Sequence, residues 1–91
     1  MKLVWAQFAL SDRDGIFTYI EAGNPRAATH VDEQIVLALH RLLDFPESGR
    51  PGRLAGTREL VIPRTPHDAA YSVTADTVRI LRILHGAQMW P

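Results

Sequence analysis

The sequence predicts an α+β fold in which a helical hairpin covers one face of a mainly antiparallel four-stranded sheet, in the order β-α-α-β-β-β, within one domain over residues 1–91. Three observations predict it. Short runs of alternating or β-rich residues lie near both ends, apolar residues recur at helical spacing between residues 8 and 44, and one Gly-Asn-Pro break divides that helical stretch. Strands joined by short turns pair as hairpins, and a helix pair with an apolar stripe covers itself by packing on the sheet they form.

Lys2 to Ala6 sets Leu3 and Trp5 against Lys2 and Val4, the period-two pattern of a first strand. From about Phe8 to Glu21 the period changes, and Ala9, Ile16, Tyr19 and Ile20 fall on one helical face while Asp12, Arg13 and Asp14 turn elsewhere. Gly15 weakens this helix by up to about 1 kcal/mol relative to alanine without breaking it. In Ala22-Gly23-Asn24-Pro25, Gly23 suits a helix end, Asn24 a cap and Pro25 a first helical position. The second helix then runs from Pro25 to about Asp44, roughly 30 Å, with Ala28, Val31, Ile35, Ala38 or Leu39, and Leu42 as its buried stripe. Val36, Leu37 and Leu43 widen that stripe beyond what one contact surface needs.

Phe45 to Arg53 holds two prolines and two glycines in nine residues and reads as a long loop. Arg58 to Ile62, Ala69 to Val73 and Thr77 to His85 are the remaining strands, joined by the turns Pro63–Asp68 and Thr74–Asp76.

Composition sets the outer limits. A chain this short buries only about 60 to 65% of its unfolded surface, so a partner is expected to supply part of its stability. With 46% hydrophobic and 22% charged residues it is too apolar for disorder. It has no cysteine, which fits a reducing compartment and excludes thiolate metal sites. Met1-Lys2-Leu3-Val4-Trp5 lacks the apolar run of a signal peptide, so a cytoplasmic, soluble protein is expected. The zero net charge gives no global case for nucleic-acid binding. Nine of the ten bases are arginine, and seven of those lie from Arg41 onward. Such planar donors suit carboxylate or phosphate recognition, or a solvated face.

Asn24-Pro25, Asp44-Phe45-Pro46, Gly49-Arg50-Pro51-Gly52, Gly56-x-Arg58-Glu59 and Arg82-Ile83-Leu84-His85-Gly86, in this order and in a chain of this length, resemble the RelE/ParE toxin superfamily across almost the whole sequence. The resemblance implies a type II toxin–antitoxin system. In such a system the flexible C-terminal segment of the antitoxin wraps the toxin, and its N-terminal half binds operator DNA, so that the toxin meets DNA only indirectly. It also implies one of two activities. ParE-type members bind DNA gyrase and are neutralised by ParD-type antitoxins, whereas RelE-type members cut mRNA on the ribosome. Fold cannot choose between them, so the site must.

Metal-free RNA cleavage needs a base for the 2′-hydroxyl, an acid for the leaving oxygen and cations for the phosphorus charge. In the nuclease relatives, His or Arg tends to lie just past the last strand. Here that segment, Gly86-Ala87-Gln88-Met89-Trp90-Pro91, has no acid, base or cation, which favours the ParE-like gyrase inhibitor and leaves the endoribonuclease as the alternative. For the alternative, the candidates are Arg58, Arg82 and His85. Strand alternation puts Arg79, Leu81, Ile83 and His85 on one side of the last strand and Val78, Ile80, Arg82 and Leu84 on the other. The candidate partner-binding residues are Arg58, Arg79, Arg82, His85, Met89 and Trp90; Arg58, Arg82 and His85 can equally serve the fold by bonding strand ends or acidic neighbours. Trp90 either latches the C-terminus onto the helices or anchors a partner. His67 beside Asp68 reads as part of a solvated turn. His30 and His40 lie ten residues apart, too far along a helix to share a metal, and Gly49 to Gly52 lacks the context of a phosphate loop, so neither metal nor cofactor is expected.

Overall fold

The computed structural model describes residues 1–86 and 88–91. Five strands and two helices follow in the order β1 (Lys2–Trp5), α1 (Gln7–Glu21), α2 (Pro25–Arg41), β2 (Arg50–Pro51), β3 (Arg58–Val61), β4 (His67–Val73) and β5 (Thr77–His85). The sheet order is β1-β5-β4-β3-β2; β1 runs parallel to β5 and every other pair is antiparallel. The α+β class and the helical hairpin are as expected, and the strand count is corrected from four to five. The added strand is the two-residue β2, set in the Gly- and Pro-rich stretch read as loop, where Arg50 and Pro51 pair with Glu59 and Arg58. Asn24 caps α2, its side chain accepting the Ala27 N–H at 3.1 Å with Pro25 following.

The core lies between the helices and one face of the sheet. Ala9 of α1 and Ile35, Ala38 and Leu39 of α2, with Leu42 beyond it, pack on Ala69, Tyr71, Val78, Ile80 and Ile83. The register explains why β5 switches parity. Tyr71 pairs with Ile80 but Ala70 pairs with Arg82, so Leu81 is the extra residue of a β-bulge. Val78, Ile80 and, past the bulge, Ile83 therefore all join the core. Simple alternation is overturned here: Arg79 and Arg82 share the helix-free face, and His85 lies on the helix side.

Two latches tie the layers together. Arg13 of α1 grips Asp32 of α2 through both carboxylate oxygens, at 2.7 and 2.9 Å, while its guanidinium sits 5.1 Å from the Trp5 ring centroid. At the other end, the Tyr71 hydroxyl donates to Pro46 O at 2.8 Å and accepts the Gly49 N–H at 2.9 Å, fixing the loop after α2. A Cβ on Gly49 would lie 2.7 Å from that hydroxyl oxygen, so the approach requires glycine. Burial pushes the Tyr71 hydroxyl up in pKa, against the pull of the Gly49 N–H.

Candidate functional site

The expected site residues do not converge. Arg58 pairs with Tyr71 on the helix side, and its guanidinium donates to Gly49 O at 2.8 Å and Glu47 O at 3.3 Å. It is spent on holding the loop. Arg82 is held by Asp12 of α1 through two bonds of 2.7 and 3.0 Å, and the same carboxylate accepts the Ile83 N–H at 3.0 Å. The cause is geometric: β1 pairs only with Thr77 to Ile80, so the second half of β5 lacks a strand neighbour there, and a helix carboxylate takes over one of its edge donors. The Asp12 bonds raise the Arg82 guanidinium further above its ordinary value. Arg79 is exposed, with no hydrogen bond or ion pair among the described residues.

The helix-free face is closed by charge instead of apolar side chains. Glu59 is 1% exposed and accepts Arg50 at 3.1 Å, the Arg53 backbone N–H at 2.9 Å, the Arg53 side chain at 3.2 Å and the Trp90 indole N–H at 3.3 Å. Burial by itself pushes its carboxyl up; those donors and charges outweigh it and hold the carboxyl below its ordinary value. Arg53 also donates to Gln88 O at 2.8 Å, so the C-terminal tail crosses this face. Trp90, half-buried, thus latches onto the opposite side of the sheet from the helices, while Met89 is exposed. Ala87, in the same segment past the last strand, lies outside the described residues.

Two concave surfaces flank the helical hairpin. Between α2 and the β3 edge runs a groove of about 490 Å³ in which Leu37, Phe45 and Val61 are more than half exposed and Arg41 and Arg64 stand at the rim. Arg64 has φ 63°, unusual for a residue with a side chain, and that backbone places its guanidinium 3.0 Å from Gln34 Oε1 across the groove.

The other surface is a cleft of about 540 Å³ between α1 and the end of the β4–β5 pair. Its walls include Gly15, Ile16, Ile20 and Ile83, with His67 and His85 at the sheet end. The two histidines are cross-strand partners, their rings edge to face at 6.1 Å. His67 is a correction to the sequence reading: it opens β4 and is 8% exposed, since the strand begins two residues before its apolar run. Burial first, and then the neighbouring His85, push its imidazole below the ordinary value despite adjacent Asp68. Its Nδ1 is enclosed and has no hydrogen-bond partner among the described residues. Sequence reasoning missed this histidine, and it missed Glu59, whose position opposite Arg50 depends on the unforeseen β2. Among the described residues, no group of three or more His, Asp or Glu side chains is placed to hold a metal ion.

Fold and site together define a small α+β protein with partly apolar concave surfaces on both flanks of its helical hairpin, in which two of the candidate catalytic residues, Arg58 and Arg82, are consumed by structural bonds. The chain belongs to the ParE toxin family of type II toxin–antitoxin systems, whose family model, described as the ParE toxin of parDE, matches residues 3–90. It is 41% identical over 90 residues to the Sinorhizobium fredii protein named "Putative toxin Y4kP", covering 99% of this chain and 93% of that one. Among solved structures, it is similar to a chain of the chromosomal ParDE toxin–antitoxin system from P. aeruginosa, with TM-score 0.84, 30% identity, and 93% and 95% of the two chains covered. A chain of the toxin–antitoxin complex RelBE2 from Mycobacterium tuberculosis matches with TM-score 0.63 and 25% identity over 92% and 95%.

Proposed function

We propose that this type II toxin acts by binding DNA gyrase in the cytoplasm, that its single domain cuts no RNA, and that a ParD-like antitoxin neutralises it. One observation carries the choice between inhibitor and nuclease. Arg58 and Arg82 lie on opposite faces of the sheet, each already bonded, while His85 pairs with His67, four residues and about 13 Å along β4 from the Tyr71 that faces Arg58. General acid, base and phosphate clamp must sit within hydrogen-bond reach of one another's substrate atoms, and these three do not.

The antitoxin fits the groove between α2 and β3. Its exposed Leu37, Phe45 and Val61 offer anchors for an apolar segment, and Arg41 and Arg64 offer partners for that segment's carboxylates. Rim charge pairs contribute only about 0.2 to 1 kcal/mol each, so the apolar anchors dominate affinity and the arginines fix register. Arg79 and Met89, both exposed, remain candidates for contact with either partner.

The test joins a supercoiling assay with purified gyrase to primer extension on mRNA after induction. Loss of supercoiling, with filamentous cells and an SOS response, is the expected result. Codon-phased cuts in translated messages would overturn it.

A further inference from the structure

The cleft between α1 and the β4–β5 end carries two features that the fold does not need, and a third that limits what it can receive. Gly15 sits in the middle of α1, where glycine is the poorest choice after proline, yet a Cβ there would meet nothing within 4 Å. No packing excludes alanine; glycine only keeps that wall of the cleft open. His67 is more than nine-tenths buried with Nδ1 enclosed and unpartnered, and an unpaired buried N–H costs more than an unpaired lone pair. That difference favours the tautomer with its proton on Nε2, which leaves His67 a donor for the cleft it lines. The third feature is charge. Arg82, the cation nearest the cleft-lining Asp12 and Ile83, is committed to Asp12.

We infer that this cleft is where the toxin grips its target protein, receiving an uncharged apolar side chain against Ile16, Ile20 and Ile83 while a carbonyl oxygen beside that side chain accepts from His67. The inference rests on the reading of the chain as a binding toxin and adds the place of contact. Phosphate needs cations, so the cleft does not suit a nucleic acid. A carboxylate-bearing antitoxin segment is better matched by the arginine-rimmed groove across the hairpin. The volume lies within the roughly 300 to 1,000 Å³ of sites that enclose a ligand group, ample for one or two side chains.

Gly15→Leu fills the cleft from a position where the structure has room, and His67→Phe keeps the ring while removing the donor. Each variant is compared with wild type for growth arrest on induction, binding to purified gyrase, binding to the antitoxin, and thermal melting. Gly15→Leu should weaken target binding by about 30-fold, the size of a hot-spot loss, and abolish growth arrest, with antitoxin binding and melting close to wild type. His67→Phe should weaken target binding by about tenfold. Gly15→Leu that arrests growth as wild type does would overturn the inference, as would parallel loss of antitoxin binding, which would make the antitoxin the occupant. Should Gly15→Leu fail to fold, wild-type target binding by folded His67→Phe overturns it equally. A wild-type toxin that arrests growth without touching gyrase refutes only the gyrase reading, because the cleft is still judged by growth arrest.

Discussion

The two faces of the sheet are closed by different physics. On the helix side, Tyr71, Val78, Ile80 and Ile83 are sealed by Ile35, Leu39 and Leu42, apolar against apolar. On the other side, Ala70 and Leu84 are also fully buried, but there Glu59, Arg50, Arg53 and the tail gather over the strands. Two helices supply apolar cover for one face only. The second face is closed by bonds that depend on charge, weaken with acid, and run through the segment that follows β5. Hydrophobic burial is indifferent to all three, so each face should fail under different treatment.

Truncation on the helix side should cost most. Ile80→Ala is expected to lose about 2 to 5 kcal/mol in urea unfolding, because the site is enclosed and cannot collapse freely. A loss under about 1 kcal/mol would mean that the helices do not seal this face. Asp12→Ala comes next, since it strands both the Arg82 guanidinium and the Ile83 N–H; about 1 to 3 kcal/mol should be lost, and Asp12→Asn should restore part of it. Trp90→Ala should cost about 1 kcal/mol by melting, the scale of one hydrogen bond and partial burial, against about 3 to 5 kcal/mol for an enclosed tryptophan. A larger loss would place the tail among the main supports of the fold.

The smallest effect is the one with acid. Glu59 has a carboxyl pKa below its ordinary 4.5, so between the two values the unfolded chain binds more protons than the folded one. Its contribution is then fully present above about pH 4.5 and lost as the pH falls through the lower folded value. Arg50 is half exposed and Arg53 more than a third, so solvent screens the gain and it stays modest. Glu59→Gln should flatten this part of the stability-versus-pH curve; an unchanged curve would show that other carboxylates carry it.

What was legible in the sequence follows from how local its cause is. The Gly23-Asn24-Pro25 break and the stripe through Ile35 and Leu39 depend on neighbours within one or two turns, and both helices form there, although α2 ends at Arg41, three residues short of the expected Asp44. The bulge at Leu81 leaves no compositional mark in a uniformly β-rich run, yet one extra residue moves His85 to the helix side and groups Arg79 with Arg82. The two-residue β2, half of it proline, has no period to detect. His67 was hidden for a similar reason, because Pro63 to Pro66 gives its surroundings the composition of a turn while its pairing with His85 is made 18 residues later. Trp90 reads as an apolar anchor from its type alone, but which face it meets is decided by Glu59, 31 residues away.

The parallel pairing of β1 with β5 has a consequence in time. The first strand synthesised pairs with Thr77 to Ile80, and β5 is also the strand that joins β1 to β4. Neither β1 nor the α1 side of the core has its sheet partner until residue 80 has been made. Contacts this distant in sequence form late, after the local hairpins. A nascent chain halted before β5 therefore lacks the strand that lines the cleft beside α1, so that surface cannot form until β5 has been made.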